Sequence, residues 1–202
     1  WSKCFIKMKN IILVGSGGHA KSCVDVIEKQ KKYKIIGFID NFKKGNFLNY
    51  KILGSDKILK KIFNKTKYAF VTIGHLNNPK KRTIIYKKLK LIGFKLPVIK
   101  SPHSVISNYS KIGEGSIVMH GAILNAGSKI GRNCILNSLS LIEHDVTIGD
   151  FSHVSTNAVV NGDVKIGSNC FLGSCCVIKQ GIKIRSNSFI KSNQLIKSDL
   201  LN

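Results

Sequence analysis

The chain has 202 residues, 43% hydrophobic and 21% charged, enough for one medium domain or two small ones and too balanced for a disordered, collagen-like or coiled-coil protein. No apolar run approaches the ~20 residues of a membrane-spanning helix and no charged-then-apolar leader opens the chain, so a soluble, cytoplasmic protein is expected. A formal charge of +23 would suggest nucleic acid, but 24 of the 33 basic residues fall in the first 100 positions, 30 are lysine, and neither arginines nor aromatics cluster as they do in DNA or RNA readers.

Trp1 to Lys7 precede Met8, which reads as the natural start, and are set aside as an added segment. An apolar strand, Ile11 to Val14, runs into the turn Gly15-Ser16-Gly17-Gly18-His19-Ala20 and a helix through about Gln30. A second strand, Lys34 to Ile39, ends at Asp40. Helix-like Ser55 to Asn64, strand Tyr68 to Ile73, helix-like Asn78 to Leu91 and strand Leu96 to Ile99 complete a β-α alternation, which predicts a small parallel, Rossmann-like α/β sheet over residues 8–100. Gly15, Gly17 and Ala20 fit G-x-G-x-x-G/A, with Asp40 where a ribose-binding acid would stand. Only three strands follow the first, which favours a mononucleotide or sugar nucleotide over a dinucleotide.

From Ile106 to Ile196 every sixth residue is aliphatic, sixteen in register. Four positions after each comes a smaller inward class that includes Cys134, Cys170 and Cys176. Glycine follows the aliphatic at 113, 131, 149 and 167, each 18 apart. A hexad supplies one short strand and one corner, and three hexads make one triangular coil, so residues 101–202 are expected to form a parallel β-helix beginning at Ser101-Pro102. The cysteines lack metal-ligand spacing and read as free thiols, and His120, His144 and His153 are spaced by 24 and 9, unsuited to a zinc site between coils. No metal is expected.

Gly15-Ser16-Gly17-Gly18-His19-Ala20, Gly37-Phe38-Ile39-Asp40, Thr72-Ile73-Gly74, Ile142-Glu143-His144-Asp145 and Ile148-Gly149-Asp150-Phe151-Ser152-His153-Val154, in that order, resemble one family. It is that of the sialic-acid O-acetyltransferases and the bacterial N-acetyltransferases of nucleotide-linked 4-amino sugars, within the hexapeptide-repeat acyltransferases. The resemblance covers about residues 10 to 196 and implies a left-handed β-helix, a sugar-nucleotide site on the N-terminal unit, acetyl-CoA along the column as co-substrate, and a homotrimer. It implies that His144 is the catalytic base supported by Asp145, and that His153, Gly162, Ser174 and Ser192 line the acetyl-CoA site. Gly17, Gly18, His19, Asp40 and Gly74 fall at substrate-facing places.

The residues carry part of this independently. His144, at a corner between Glu143 and Asp145, is the best base in the chain. Gly162 stands one coil above it and reads either as an oxyanion donor or as a tight corner. His120, Ser138, Thr156, Ser174 and Ser192 step by 18 up one edge, where a pantetheine arm or mere corner chemistry would account for them, with Lys197 and Arg185 near the CoA phosphates. Arg185 and Lys191 replace the small residue usual after the aliphatic. No cysteine or serine stands beside His144 as a nucleophile, which favours direct attack on the thioester; the resemblance implies that this attack is N-acetylation of a UDP- or dTDP-linked amino-dideoxy sugar, with O-acetylation of a sialic-acid-like sugar as the alternative. His75 and His103 receive no role.

Overall fold

The structure, a computed structural model, describes residues 8–76 and 78–201, so the segment before Met8, with Cys4, lies outside the described residues. The N-terminal unit is built on β1 (Lys9–Val14), α1 (Gly18–Gln30), β2 (Tyr33–Ile39), β3 (Asn46–Phe47), β4 (Tyr50–Gly54), α2 (Leu59–Phe63), β5 (Tyr68–Val71) and α3 (Lys80–Ile92). Its sheet runs β3-β4-β2-β1-β5. Four strands are parallel, as the alternation predicts, but β3 is antiparallel and the sheet is mixed. The expected strand over Leu96 to Ile99 does not join this sheet. Lys95 makes one bridge to Tyr68, and the chain then leaves, so that Ile99–Lys100 pairs with Ile117–Val118 of the column. The β3–β4 hairpin takes the opposite edge; its short segments around Gly45 and Asn49 carry no period long enough to read as strands.

The second half is a three-sided parallel β-helix, as the hexads predict, and left-handed, as the family resemblance implies, of two-residue strands stacked in sheets of six, five and six. In the sixteen strands from Val105–Ile106 onward the second residue points inward, so the sixteen aliphatics and the smaller class, Ala122, Cys134, Val146 and Cys170 among them, form one continuous core. Three residues after each aliphatic, from Gly115 to Asn193, the backbone is left-handed, with φ between 53° and 76°. Most of these corners are Gly, Asn or Asp, which tolerate that region; Leu139, Phe151 and Cys175 adopt it at about 1–2 kcal/mol each. Phe151 recovers part of this by an edge contact with Tyr86, centroids 5.3 Å apart. The 18-residue glycine period marks the corner where coils come closest: a Cβ at Gly131 would lie 2.6 Å from the Asp150 backbone nitrogen. All five described cysteines are free, and Cys134, Cys170 and Cys176 are buried fillers.

The outward residues give each side of the column its own character. One row is Lys111, Lys129, Thr147, Lys165 and Lys183, all exposed. A second is Val105, Ile123, Leu141, Val159, Val177 and Leu195, half-buried or exposed with nothing packed over it among the described residues. The third begins Ile99, Ile117, Ile135, and these three isoleucines share a core with α1 and the β1–β2 face through Ile11, Leu13, Val24 and Phe38. Each isoleucine buried there contributes roughly 1.5–3 kcal/mol. That docking aligns the glycine turn after β1 with the coil of His153.

Candidate active site

Two groups of histidines emerge. His144 sits on the corner following the Leu141–Ile142 strand, exposed, its Nδ1 donating to Asp145 Oδ2 at 2.9 Å. Asp145 occupies the left-handed corner position (φ 61°), which turns its carboxylate back toward the ring. The hydrogen bond to Asp145 raises the pKa of His144, aided by the charges of Glu143 and Asp163. In the neutral ring the proton therefore resides on Nδ1 and Nε2 presents its lone pair outward. Glu143 is held by Asn125 Nδ2 at 2.8 Å.

Glycines in the adjacent coils make room for this pair. A Cβ at Gly162 would lie 2.6 Å from His144 Nε2, and one at Gly127, 18 residues before Asp145, would overlap the Asp145 carboxylate. Gly162 is buried with the imidazole laid over it, so its missing side chain serves the seat of the ring. Gly127 was not anticipated, although its offset of one coil from Asp145 is readable in the sequence.

The second group lies at the seam between the two units. His153 is 6% exposed; its Nδ1 donates to the His75 carbonyl at 2.8 Å, and its Nε2 faces Asn137 Nδ2 at 3.4 Å. Its ring meets those of His75 and Phe171 edge-on at 5.5 and 5.2 Å. Burial pushes His153 down to about 4, the His75 carbonyl opposing and Arg82 reinforcing. His75 and His19 are driven to about 3, first by burial and then by neighbouring imidazoles and Arg82. Both ring nitrogens of His75 and the Nε2 of His19 are buried without a hydrogen bond; the Cys170 carbonyl near His75 favours its charged form slightly but is not bonded to it. His144 and His153 lie on different sides of the column, as their nine-residue separation predicts.

Loop 72–75 joins these parts. Thr72 Oγ1 donates to the Val14 and Gly15 carbonyls, tying the loop to the glycine turn. Gly15 (φ +102°) admits Ile73 so closely that a Cβ there would overlap its side chain, and a Cβ at Gly74 would press on the His19 side chain, 3.1 Å from its Cβ and 3.3 Å from its ring. Gly17 and Gly18 face open space at the N-terminus of α1, where no side chain caps the helix. Asp40, expected to receive a ribose, instead holds the turn. Oδ2 accepts from Ser16 N (2.9 Å) and Oγ (2.6 Å), and Oδ1 from Phe42 N (2.9 Å) and Lys43 N (3.1 Å). Burial opposes its ionisation, yet these four donors keep its pKa below the ordinary value. All four of its acceptor positions are engaged within the chain.

The polar edge is not uniform. Ser174 Oγ meets Ser155 Oγ at 2.9 Å, Ser192 and Thr156 are exposed, and His120 turns away to join Ser101 Oγ and Asp25 Oδ2, each at 2.6 Å. His103 packs 5.8 Å from His120. Among the described residues no group of histidine, cysteine and acidic side chains is arranged to hold a metal, and no helix is long and apolar enough to cross a membrane.

Two family models match: the PglD N-terminal domain over residues 10–89 and the bacterial transferase hexapeptide (six repeats) over 145–180. A GDP-perosamine N-acetyltransferase of Escherichia coli O157:H7 is 31% identical over 140 residues, 66% of this chain; the match spans 61% of that protein's length. The acetyltransferase domain of PglB from Neisseria gonorrhoeae FA1090 superposes with a TM-score of 0.90 at 26% identity, covering 96% of this chain and 94% of that one. PerB from Caulobacter crescentus, solved with CoA and GDP-perosamine, gives 0.89 at 26%, covering 95% and 90%. The chain is thus similar to the PglD N-terminal domain in its first half, to the bacterial hexapeptide transferases in its second, and to solved acetyltransferases along almost its whole length.

Proposed function

We propose that the protein is an acetyl-CoA-dependent N-acetyltransferase acting on the amino group of a nucleoside-diphosphate-linked amino-dideoxy sugar. The observation that carries this is the exposed His144–Asp145 pair, with its Nε2 lone pair presented to solvent over Gly162. An attacking amine must lose a proton as it bonds to the thioester carbon, and His144 Nε2 receives it while Asp145 stabilises the resulting imidazolium. The thiolate of CoA then leaves as the amide forms. Residues 8–100 serve as the sugar-nucleotide unit, with Gly17, Gly18, His19 and Gly74 toward the acceptor and Asp40 acting through the turn it organises. In the column, residues 101–202, the coenzyme is received by His153, Ser174 and Ser192. Gly162 gives the base its seat and is a candidate oxyanion donor.

The bare aliphatic row from Val105 to Leu195, flanking the His144 corner, supports a homotrimer in which the row meets a neighbouring copy and the corner faces that copy's seam. The family resemblance implied a UDP- or dTDP-linked acceptor; the relatives named for their acceptor use GDP-perosamine, so a GDP-linked sugar is the first choice here. Purified chain with acetyl-CoA and a panel of GDP-, UDP- and dTDP-linked 4-amino sugars, beside hydroxyl acceptors of the sialic-acid type, tests the proposal. Amide product from a GDP-linked amine is expected; acetylation of a hydroxyl acceptor alone would overturn it.

A further inference from the structure

Arg82 projects from α3 into the seam and is fully buried. Its Nη1 donates to the carbonyls of Val71 (2.9 Å) and Ile73 (2.7 Å), and its Nε to that of Asn133 (3.2 Å), on the column. Nη2 has no partner, nor do the side-chain amide atoms of the fully buried Asn133, and no carboxylate pairs with the guanidinium among the described residues. A buried cation held only by backbone carbonyls is costly, and a core under these units would be better filled by an apolar side chain unless the donors themselves are needed. Those donors tie the start of one short connection to the column. Val71 and Ile73 begin the strap that passes Gly74 beneath His19 and ends at the His75 carbonyl, the acceptor for His153 Nδ1–H. A carbonyl only accepts, so this contact requires the proton on Nδ1 and leaves Nε2 of His153 as an acceptor facing Asn137.

We infer that Arg82 is a positioning residue of the transfer site, pinning the 72–75 strap to the column so that His153 is held in one orientation with Nε2 as a hydrogen-bond acceptor. The ligand group that His153 meets must then be a donor, such as an amide N–H of the pantetheine arm or the acceptor's amine; it does not donate to the thioester oxygen. The planar fork of arginine reaches carbonyls on two units at once, which the single ammonium of lysine cannot do. The chain writes lysine at 30 of its 33 basic positions, and Arg82 is one of the three exceptions. Nearby positive charge also disfavours protonation of His19, His75 and His153.

The part that concerns turnover rests on the proposed acetyl transfer, so the test pairs kinetics with a direct reading of the imidazole. Long-range ¹⁵N–¹H NMR of histidine-labelled full-length protein, with the His153 signals assigned through His153→Gln, is expected to show a neutral Nδ1–H form from pH 6 to 8. Arg82→Lys, which keeps the charge, should broaden or shift that pattern and lower kcat about 10- to 100-fold, the range produced by misplacing a reacting group, with a smaller change in acceptor KM. Arg82→Met should be at least as severe. A wild-type Nε2–H form, or an Arg82→Lys protein with unaltered His153 signals and turnover, overturns the inference, and the wild-type spectrum decides even if neither variant folds. Altered His153 signals in Arg82→Lys, with no acetyl transfer by the wild type on any acceptor, would uphold the pin and sink the function proposed above.

Discussion

The corner around His144 and the seam around His153 use the same side chain for opposite ends. At the corner an exposed imidazole donates to a carboxylate, and its pKa rises. At the seam three imidazoles share a dry space with a guanidinium, and theirs fall to about 3 or 4. Proton exchange belongs to the first setting, where both charge states are supported; the second suits fixed neutral dipoles. Neighbours therefore assign the roles, and each assignment can be broken separately.

The largest effect is expected at the seam, in stability. The folded histidines stay neutral down to pH 3–4, whereas the unfolded ones titrate near 6.5, so below that value the unfolded chain binds more protons. Stability is complete above pH 6.5 and is lost as pH falls toward the folded values, by about 1.4 kcal/mol per pH unit for each histidine and about 4 for the three together. Urea unfolding at a series of pH values measures the slope, and His75→Phe should remove about a third of it; a slope untouched by that change would mean the seam is wet.

At the corner, His144→Ala should lower turnover about 100-fold or more with the fold intact, as loss of a general base does. Gly162→Ala comes next: its methyl would occupy the place of the His144 ring, and a fall of about tenfold in kcat is expected without loss of the far-ultraviolet circular dichroism signal. Asp145→Asn has the smallest effect. Removing the carboxylate that raises His144 should move the acid limb of the kcat/KM profile to lower pH, because a weaker base is still neutral there. A limb that stays in place would separate Asp145 from the proton transfer.

The column was legible because its determinants are local: each hexad states its own inward residue and corner, and sixteen agree. The pairing of Ile99 with the column and not with the sheet was not legible, since a short apolar segment suits either partner and docking decides. The corner pair could be read because His144 and Asp145 are neighbours. The seam could not, because its bonds join residues 78 apart, as His153 and His75 are, or 51 apart, as Arg82 and Asn133 are. That Ser16 and the turn after β2 engage the oxygens of Asp40 was not legible either, because a local motif does not reveal which donors will reach a carboxylate.

Since successive hexads visit successive sides, editing the column by six residues and editing it by eighteen are different operations. Excision of 147–152 would keep every aliphatic pointing inward while rotating all that follows by a third of a turn. His153 would take the place of Thr147 and Lys165 that of Val159, so a shortened protein could fold soundly with its lysines on the side that now carries the bare aliphatic row. Loss of eighteen would merely remove a storey about 4.8 Å high. Lineages of such columns should therefore lengthen and shorten by whole storeys wherever the sides have distinct duties.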